Sequence, residues 1–257
     1  MSKISHAFQN GLAFIGFLTA GDPTLQKTEE YVLAMAEAGA DLIEIGIPFS
    51  DPVAEGKVIE AANARALNVG TTLEKVFDMV SSLRTKTDIP LVFLSYMNPI
   101  FRYGFDAFFQ RCKQVGLDGV IIPDLPYEER GELLPFAQKN QVDIITMIAP
   151  TSESRILRLA QEASGFIYLV SSLGVTGVRS EIKTDLKSMI TTIQSATQVP
   201  VCVGFGISTP EQAKTIAQDA DGVIVGSAIV NIIEAHGENA EPHLRDYVKN
   251  MKQAILS

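Results

Sequence analysis

The chain has 257 residues, 46% of them hydrophobic, enough to bury a substantial core without metal or disulfide staples. Twenty-one basic against thirty acidic residues leave a net charge of −9, which lacks the basic footprint of a nucleic-acid binder. Cys112 and Cys202 stand far apart with no histidine beside them, giving neither a disulfide framework nor a zinc site, and no apolar run reaches the ~18–20 residues that span a bilayer.

Near the N-terminus, Lys3 and the apolar run Leu12–Ala20 loosely imitate a signal peptide. Gln9 and Asn10 interrupt that pattern, and Gly21-Asp22-Pro23 reads as a turn rather than a small-residue cleavage site, so the run is taken as a buried first strand of a cytoplasmic protein. Short runs rich in Val, Ile and Leu then recur: Ala13–Thr19, Leu42–Gly46, Leu91–Ser95, Gly119–Pro123, Asp143–Met147, Phe166–Val170, Val199–Gly204 and Gly222–Val225. Such near-continuous apolar runs are expected of strands buried on both faces. Amphipathic segments lie between them, among them Gln26–Glu37, Thr72–Leu83, Glu128–Lys139, Glu153–Glu162, Thr184–Ser195 and Pro210–Gln218, and Pro242–Leu256 reads as a closing helix. Eight strands in 257 residues make roughly one βα unit every 32 residues. Right-handed crossovers then require a parallel sheet, and eight units at this length favour a closed (β/α)8 TIM barrel, a single α/β domain over residues 1–257.

In such a barrel the chemistry belongs where strands end and βα loops begin. Three glycine turns follow consecutive strands: Gly174-Val175-Thr176-Gly177, Gly204-Phe205-Gly206-Ile207-Ser208 and Gly226-Ser227. The last opens an apolar segment, Ala228–Ile233, whose free N–H groups and helix dipole would favour an anion. A phosphate site at the loops after strands 6–8 is the expectation. Gly204-x-Gly206 is no dinucleotide fingerprint, because position 209 is Thr and the turn comes late in the chain.

Glu44 is the strongest single-residue anomaly. Alternation within Leu42-Ile43-Glu44-Ile45-Gly46 points it the same way as Leu42 and Gly46. A carboxylate in a buried strand needs a partner or a raised pKa, and the latter suits a general acid/base near neutral pH; a structural Glu bound to a backbone or hydroxyl group is the alternative. Glu55 stands eleven residues on, in a loop stiffened by Pro48 and Pro52 that also holds Asp51, with Lys57 near it. A Schiff-base aldolase would need a lysine on a strand, and a metal site would need clustered His and carboxylates. The lysines are helical or in loops, and His6, His236 and His243 lie outside the strand ends. Cofactor-free acid/base chemistry on a phosphorylated small molecule remains, with no metal and no cofactor.

At these residues the chain resembles the tryptophan synthase alpha chain family. The resemblance runs from Phe17–Pro23 through Leu42–Gly56, Pro123–Pro126, Tyr168–Gly177 and Gly204–Ser208 to Gly226–Val230. It implies a lyase that cleaves indole-3-glycerol phosphate to indole and glyceraldehyde 3-phosphate, and passes indole to a pyridoxal-phosphate beta chain in an α2β2 complex. It implies that Glu44 is the catalytic glutamate, and that Glu55 occupies the place of an aspartate that binds the indole N–H. Tyr168 falls near the reacting glycerol, with Thr176 among the substrate-binding residues. Phe17, Leu94, Tyr96, Ile121 and Phe205 fall at the indole pocket, an apolar and aromatic set that suits a flat ring. Gly177, Gly206, Gly226 and Ser227 fall at the phosphate. The loops Phe49–Lys57 and Leu173–Arg179 match segments that close over substrate.

Three departures stand out. Glu55 adds a methylene to the aspartate, about 1.5 Å of reach. Lys57 stands where many members have proline and offers Glu55 a neighbouring cation, and Ser172 stands where some have arginine. An activating subunit with weak catalysis of its own, and a phosphosugar isomerase on the same barrel, are the other readings. Without its beta chain the protein is expected to be a monomer.

Overall fold

A computed structural model describes residues 3–170, 179–204 and 206–257, the side chains of 179–185 excepted. Eight strands close into one parallel barrel in sequence order: β1 (Ala13–Thr19), β2 (Leu42–Gly46), β3 (Leu91–Leu94), β4 (Gly119–Ile121), β5 (Asp143–Ile148), β6 (Ile167–Val170), β7 (Val201–Gly204) and β8 (Gly222–Val225). β8 returns to pair with β1, which leaves no free edge in the sheet. The helices around it are α1 (Leu25–Glu37), α2 (Lys57–Asn68), α3 (Leu73–Leu83), α4 (Met97–Tyr103), α5 (Phe105–Val115), α6 (Leu134–Asn140), α7 (Glu153–Gln161), α8 (Arg179–Ala196), α9 (Pro210–Ile216), α10 (Ser227–His236) and α11 (Glu241–Leu256). The (β/α)8 expectation therefore holds.

Two apolar layers divide the side chains of each strand. Ile15, Leu42, Val92, Ile121, Ile145, Tyr168, Cys202 and Ile224 fill the barrel interior. Ile43, Ile45, Phe93, Val120, Ile144 and Leu169 face outward, onto the helices. Leu42 and Ile43 thus point opposite ways, and Glu44 follows Leu42 inward, as the period of two requires. A short 3-10 helix, Lys3–Phe8, closes the N-terminal end: the Ile4 side chain is fully buried, and a Cβ on Gly119 or Gly165 would come within 3.1 Å of its Cδ1.

An aspartate stands immediately before three strands. Asp41, Asp118 and Asp221 each donate their backbone N–H to one residue of the preceding strand, Phe14, Leu91 and Val201 respectively, at 2.9 Å. The carboxylate of each accepts the N–H of that same residue at 2.7, 3.0 and 2.8 Å. Backbone groups at strand starts lack a ladder partner on one side, and the carboxylates satisfy them. Two of the three also meet a cation: Asp41 meets Lys252 of α11 and Asp118 meets Arg84. Among the described residues no helix is long and apolar enough to cross a membrane.

Candidate active site

At the C-terminal ends of the strands a cavity of about 330 Å³ is lined by Phe17, Glu44, Glu55, Leu94, Tyr168, Gly206, Gly226 and Ser227, together with Ala54, Gly56, Ile59, Pro123, Met147, Ile207, Ser208, Ile224, Ala228 and Asn231. Eight residues singled out from the sequence therefore meet in one pocket. Thr176, Gly177 and Phe205 lie outside the described residues, as does Ser172 and most of the Leu173–Arg179 loop. Tyr96 and Ile121 are buried but do not line this cavity. Ile121 belongs to the packed barrel interior beneath it, and Tyr96 stands behind Glu55, as described below.

Glu44 is 1% exposed, and its Oε2 has no hydrogen-bond partner among the described residues. Burial, and secondarily the charge of Glu55, push its pKa up to about 8. At neutral pH it keeps its proton. Register sets Glu44 beside Phe17 of β1 and Val92 of β3. Two glycines make room for the neighbouring rings. A Cβ at Gly46 would come 2.7 Å from the Phe17 ring, and one at Gly204 2.5 Å from the Tyr168 hydroxyl oxygen. Burial first and Glu44 second hold the Tyr168 hydroxyl well above its ordinary pKa, so it too stays protonated.

Glu55 reaches the pocket from the loop before α2. Burial raises its pKa, while hydrogen bonds from Asn63 and Tyr96 act to lower it. The Asn63 amide donates to its Oε2 at 2.6 Å. The Tyr96 hydroxyl donates to Glu55 and accepts the Ala54 N–H at 3.2 Å, and its ring stacks on Phe49 at 5.2 Å between centroids. The neighbouring cation expected from the sequence is not the partner: Lys57 is exposed at the first residue of α2, and Glu55 turns to the two neutral donors instead.

Gly226, Ser227 and Ala228 also line the cavity where α10 begins, and among the described residues no side chain caps that ten-residue helix, which leaves its first N–H groups to an anion in the pocket. The N-terminus of α9 is different, because Thr209 and Gln212 form a capping box that consumes its donors. The site thus combines a carboxyl that holds a proton, a second carboxylate on a loop, an apolar floor of Phe17, Leu94 and Met147, and an anion-favouring helix end. Met147, Ile59 and Asn231 were not singled out from the sequence. An apolar residue at a strand end and an Asn one turn into a helix carry no chemical signal until the barrel closes around them.

The model for the family described as "Tryptophan synthase alpha chain" matches residues 4–256. The tryptophan synthase alpha chain of Lacticaseibacillus casei is 48% identical over 255 residues, covering 99% of this chain and 96% of the relative. The crystal structure of tryptophan synthase subunit alpha from Legionella pneumophila str. Paris superposes with a TM-score of 0.90 at 36% identity, over 99% of this chain and 98% of that one. A chain from the tryptophan synthase α2β2 complex of Pyrococcus furiosus gives 0.84 at 34% identity, over 94% and 97%. Sequence and fold agree along nearly the whole length, and the chain belongs to the tryptophan synthase alpha chain family.

Proposed function

We propose that Glu44 and Glu55 divide the acid–base work of this chain, and that the N-terminus of α10 with Gly206, Gly226 and Ser227 receives the substrate's phosphate. As a tryptophan synthase alpha chain it cleaves indole-3-glycerol phosphate to indole and glyceraldehyde 3-phosphate and partners a beta chain. The observation that carries the residue assignment is Glu44, a fully buried carboxyl with a free oxygen and a pKa of about 8 in the wall of the cavity. A group in that state has a proton to give at neutral pH.

Glu44 gives this proton to indole C3, and the ring gains positive charge at its nitrogen. Glu55 accepts the indole N–H and stabilises that charge. The Glu44 carboxylate then takes the proton of the glycerol hydroxyl next to the ring. The carbon–carbon bond breaks, its electron pair returns to the ring, and the hydroxyl carbon becomes the aldehyde. One proton is given and one taken, so Glu44 ends as it began. Phe17 and Leu94 line the indole half of the pocket, with Ile121 beneath it and Tyr96 behind Glu55, and Tyr168 stands by the reacting glycerol; Thr176, Gly177 and Phe205 complete the assignment carried by family resemblance. In the same reading the chain is a cytoplasmic, single-domain monomer until it meets its beta chain.

Indole release from indole-3-glycerol phosphate, measured with and without a cognate beta chain, tests this. Slow release alone and a large increase with the partner are expected, and Glu44→Gln should abolish both while sparing stimulation of the beta reaction. A folded chain that releases no indole in either condition, yet still stimulates the beta chain, would leave an activating subunit only.

A further inference from the structure

Helix α2 buries three residues, Ala62, Asn63 and Ala66. Ala62 belongs to a small apolar cluster with Phe17 and Val230, flanked by Val58, Ile59 and Leu94, and this seats α2 over the barrel mouth. Arg65, about one turn further along the same helix, adds polar anchors. Its guanidinium donates to both oxygens of Asp22, at 2.9 and 2.8 Å, and to Glu234 of α10 at 2.9 Å. Between these anchors sits Asn63, 3% exposed. A primary amide in a buried alanine stripe is costly unless its donors are used. Side chains on a helix lean toward its N-terminus, which aims Asn63 back at the loop residue Glu55, where its amide bond is made.

We propose that Asn63 is a positioning residue for the reaction: rigidly seated on α2, it works with the Tyr96 hydroxyl as a two-donor clamp that fixes the Glu55 carboxylate in the pocket wall. The proposal rests on the reading of Glu55 as the group that faces the indole N–H. A glutamate has three side-chain torsions, and an unclamped carboxylate on a loop would spread over several orientations. Two donors select one of them. They also oppose the loss of charge that burial favours, since a hydrogen bond to the ionised form stabilises it. Among the described residues, Glu60 on α2 and burial disfavour the charge of Glu55, while Glu44, which holds its proton up to about pH 8, faces it as a neutral group; the clamp of Asn63 and Tyr96 is the opposing influence.

The sign of the pH effect follows. Glu55 acts ionised, so activity falls as pH drops through its pKa. Removing a donor raises that pKa, and the acid limb moves toward neutral pH. The experiment is the pH profile of kcat and kcat/KM for indole release, with a beta chain present, for Asn63→Ala, the isosteric Asn63→Asp and Tyr96→Phe. A charge-assisted hydrogen bond is worth about a tenfold effect. Asn63→Ala should therefore move the acid limb up by about one pH unit and lower kcat roughly tenfold at the pH optimum, with KM little changed. Asn63→Asp sets a second carboxyl against Glu55 at unchanged volume and should lose more. Tyr96→Phe should move the limb in the same direction as Asn63→Ala. Folded variants at position 63 with a wild-type acid limb and kcat would overturn the clamp. Glu55→Gln separates this outcome from failure of the underlying reading: if that variant keeps full activity, Glu55 has no catalytic part, whereas if it is inactive while Asn63→Ala is unaffected, only the clamp is wrong.

Discussion

The carboxyl proposed as the proton donor is a burden to the fold, as the burial of Glu44 shows. Its folded pKa is raised from the ordinary glutamate value to about 8, chiefly by burial. A raised folded pKa means that the native state holds the proton more tightly than the unfolded chain does. Stability is therefore full below the unfolded pKa near 4.5 and is lost as pH climbs through the interval up to about 8. Glu44→Gln keeps the shape and removes this titration, so the part of the pH slope that Glu44 contributes over that interval should vanish. In urea melts the variant should gain about 3–5 kcal/mol on the wild type between pH 5 and pH 9, while indole release is abolished. Equal pH slopes for the two proteins would show that Glu44 titrates normally. This residue was legible from sequence because a charge inside Leu42–Gly46 breaks the pattern of a buried strand. Asn63 was not, since an asparagine among alanines looks like any helix surface until the helix is seated on Phe17 and faces Glu55.

Elements differ in how strongly they write themselves into the sequence. All eight strands were readable as apolar runs; β1, β2 and β8 keep the expected bounds, and the other five differ at one end by one or two residues. β4 stops at Ile121, two residues short of Pro123, whose ring nitrogen has no proton for a ladder. β3 stops at Leu94, although the Ser95 N–H still bonds the Ile121 carbonyl. The segment Glu128–Lys139, expected as one helix, is a 3-10 turn, Tyr127–Glu132, followed by α6, with Pro135 in the first turn of the latter. α2 was not singled out because its buried stripe is small and polar. The N-terminal 3-10 helix was not singled out because it is a six-residue segment that buries only Ile4 and Ala7, too short to show a period. That helix belongs to the end of the barrel opposite the pocket, where substitutions should alter stability and not chemistry. Ile4→Ala empties the space between Gly119 and Gly165 and should cost about 2–4 kcal/mol in a denaturant titration. The kcat for indole release, read per folded molecule, should stay at the wild-type value. A loss of kcat at full folding would mean that the plug communicates with the site.

On the scale of the whole molecule, closure depends on tying the last helix to the first strands. Sequence spacing announced eight βα units but not how the ring is fastened, because the fastening joins residues about two hundred positions apart. Lys252 on α11 donates to the Leu12 carbonyl and to Asp41 Oδ2, both at 2.7 Å, and Asp41 Oδ2 also accepts the Phe14 N–H. One lysine therefore links the entrances to β1 and β2 with the C-terminal helix. The two side chains are only 15% and 18% exposed, unlike most ion pairs on this surface. Exposed pairs contribute little, but removing one partner of a mostly buried pair strands the other charge. Lys252→Met keeps much of the packing along the stem while leaving Asp41 with a backbone donor alone. It should lower stability by about 3 kcal/mol, and high salt should restore little of that loss because a pair this buried is weakly screened. The unfolding curve also carries information about how the ring comes apart. If α11 and the β1–β2 entrance belong to one cooperative unit with the rest of the barrel, circular dichroism and tyrosine fluorescence will shift together to lower urea as a single transition. A separate early phase confined to one probe would instead make the C-terminal helix a late addition to a barrel that already holds its shape.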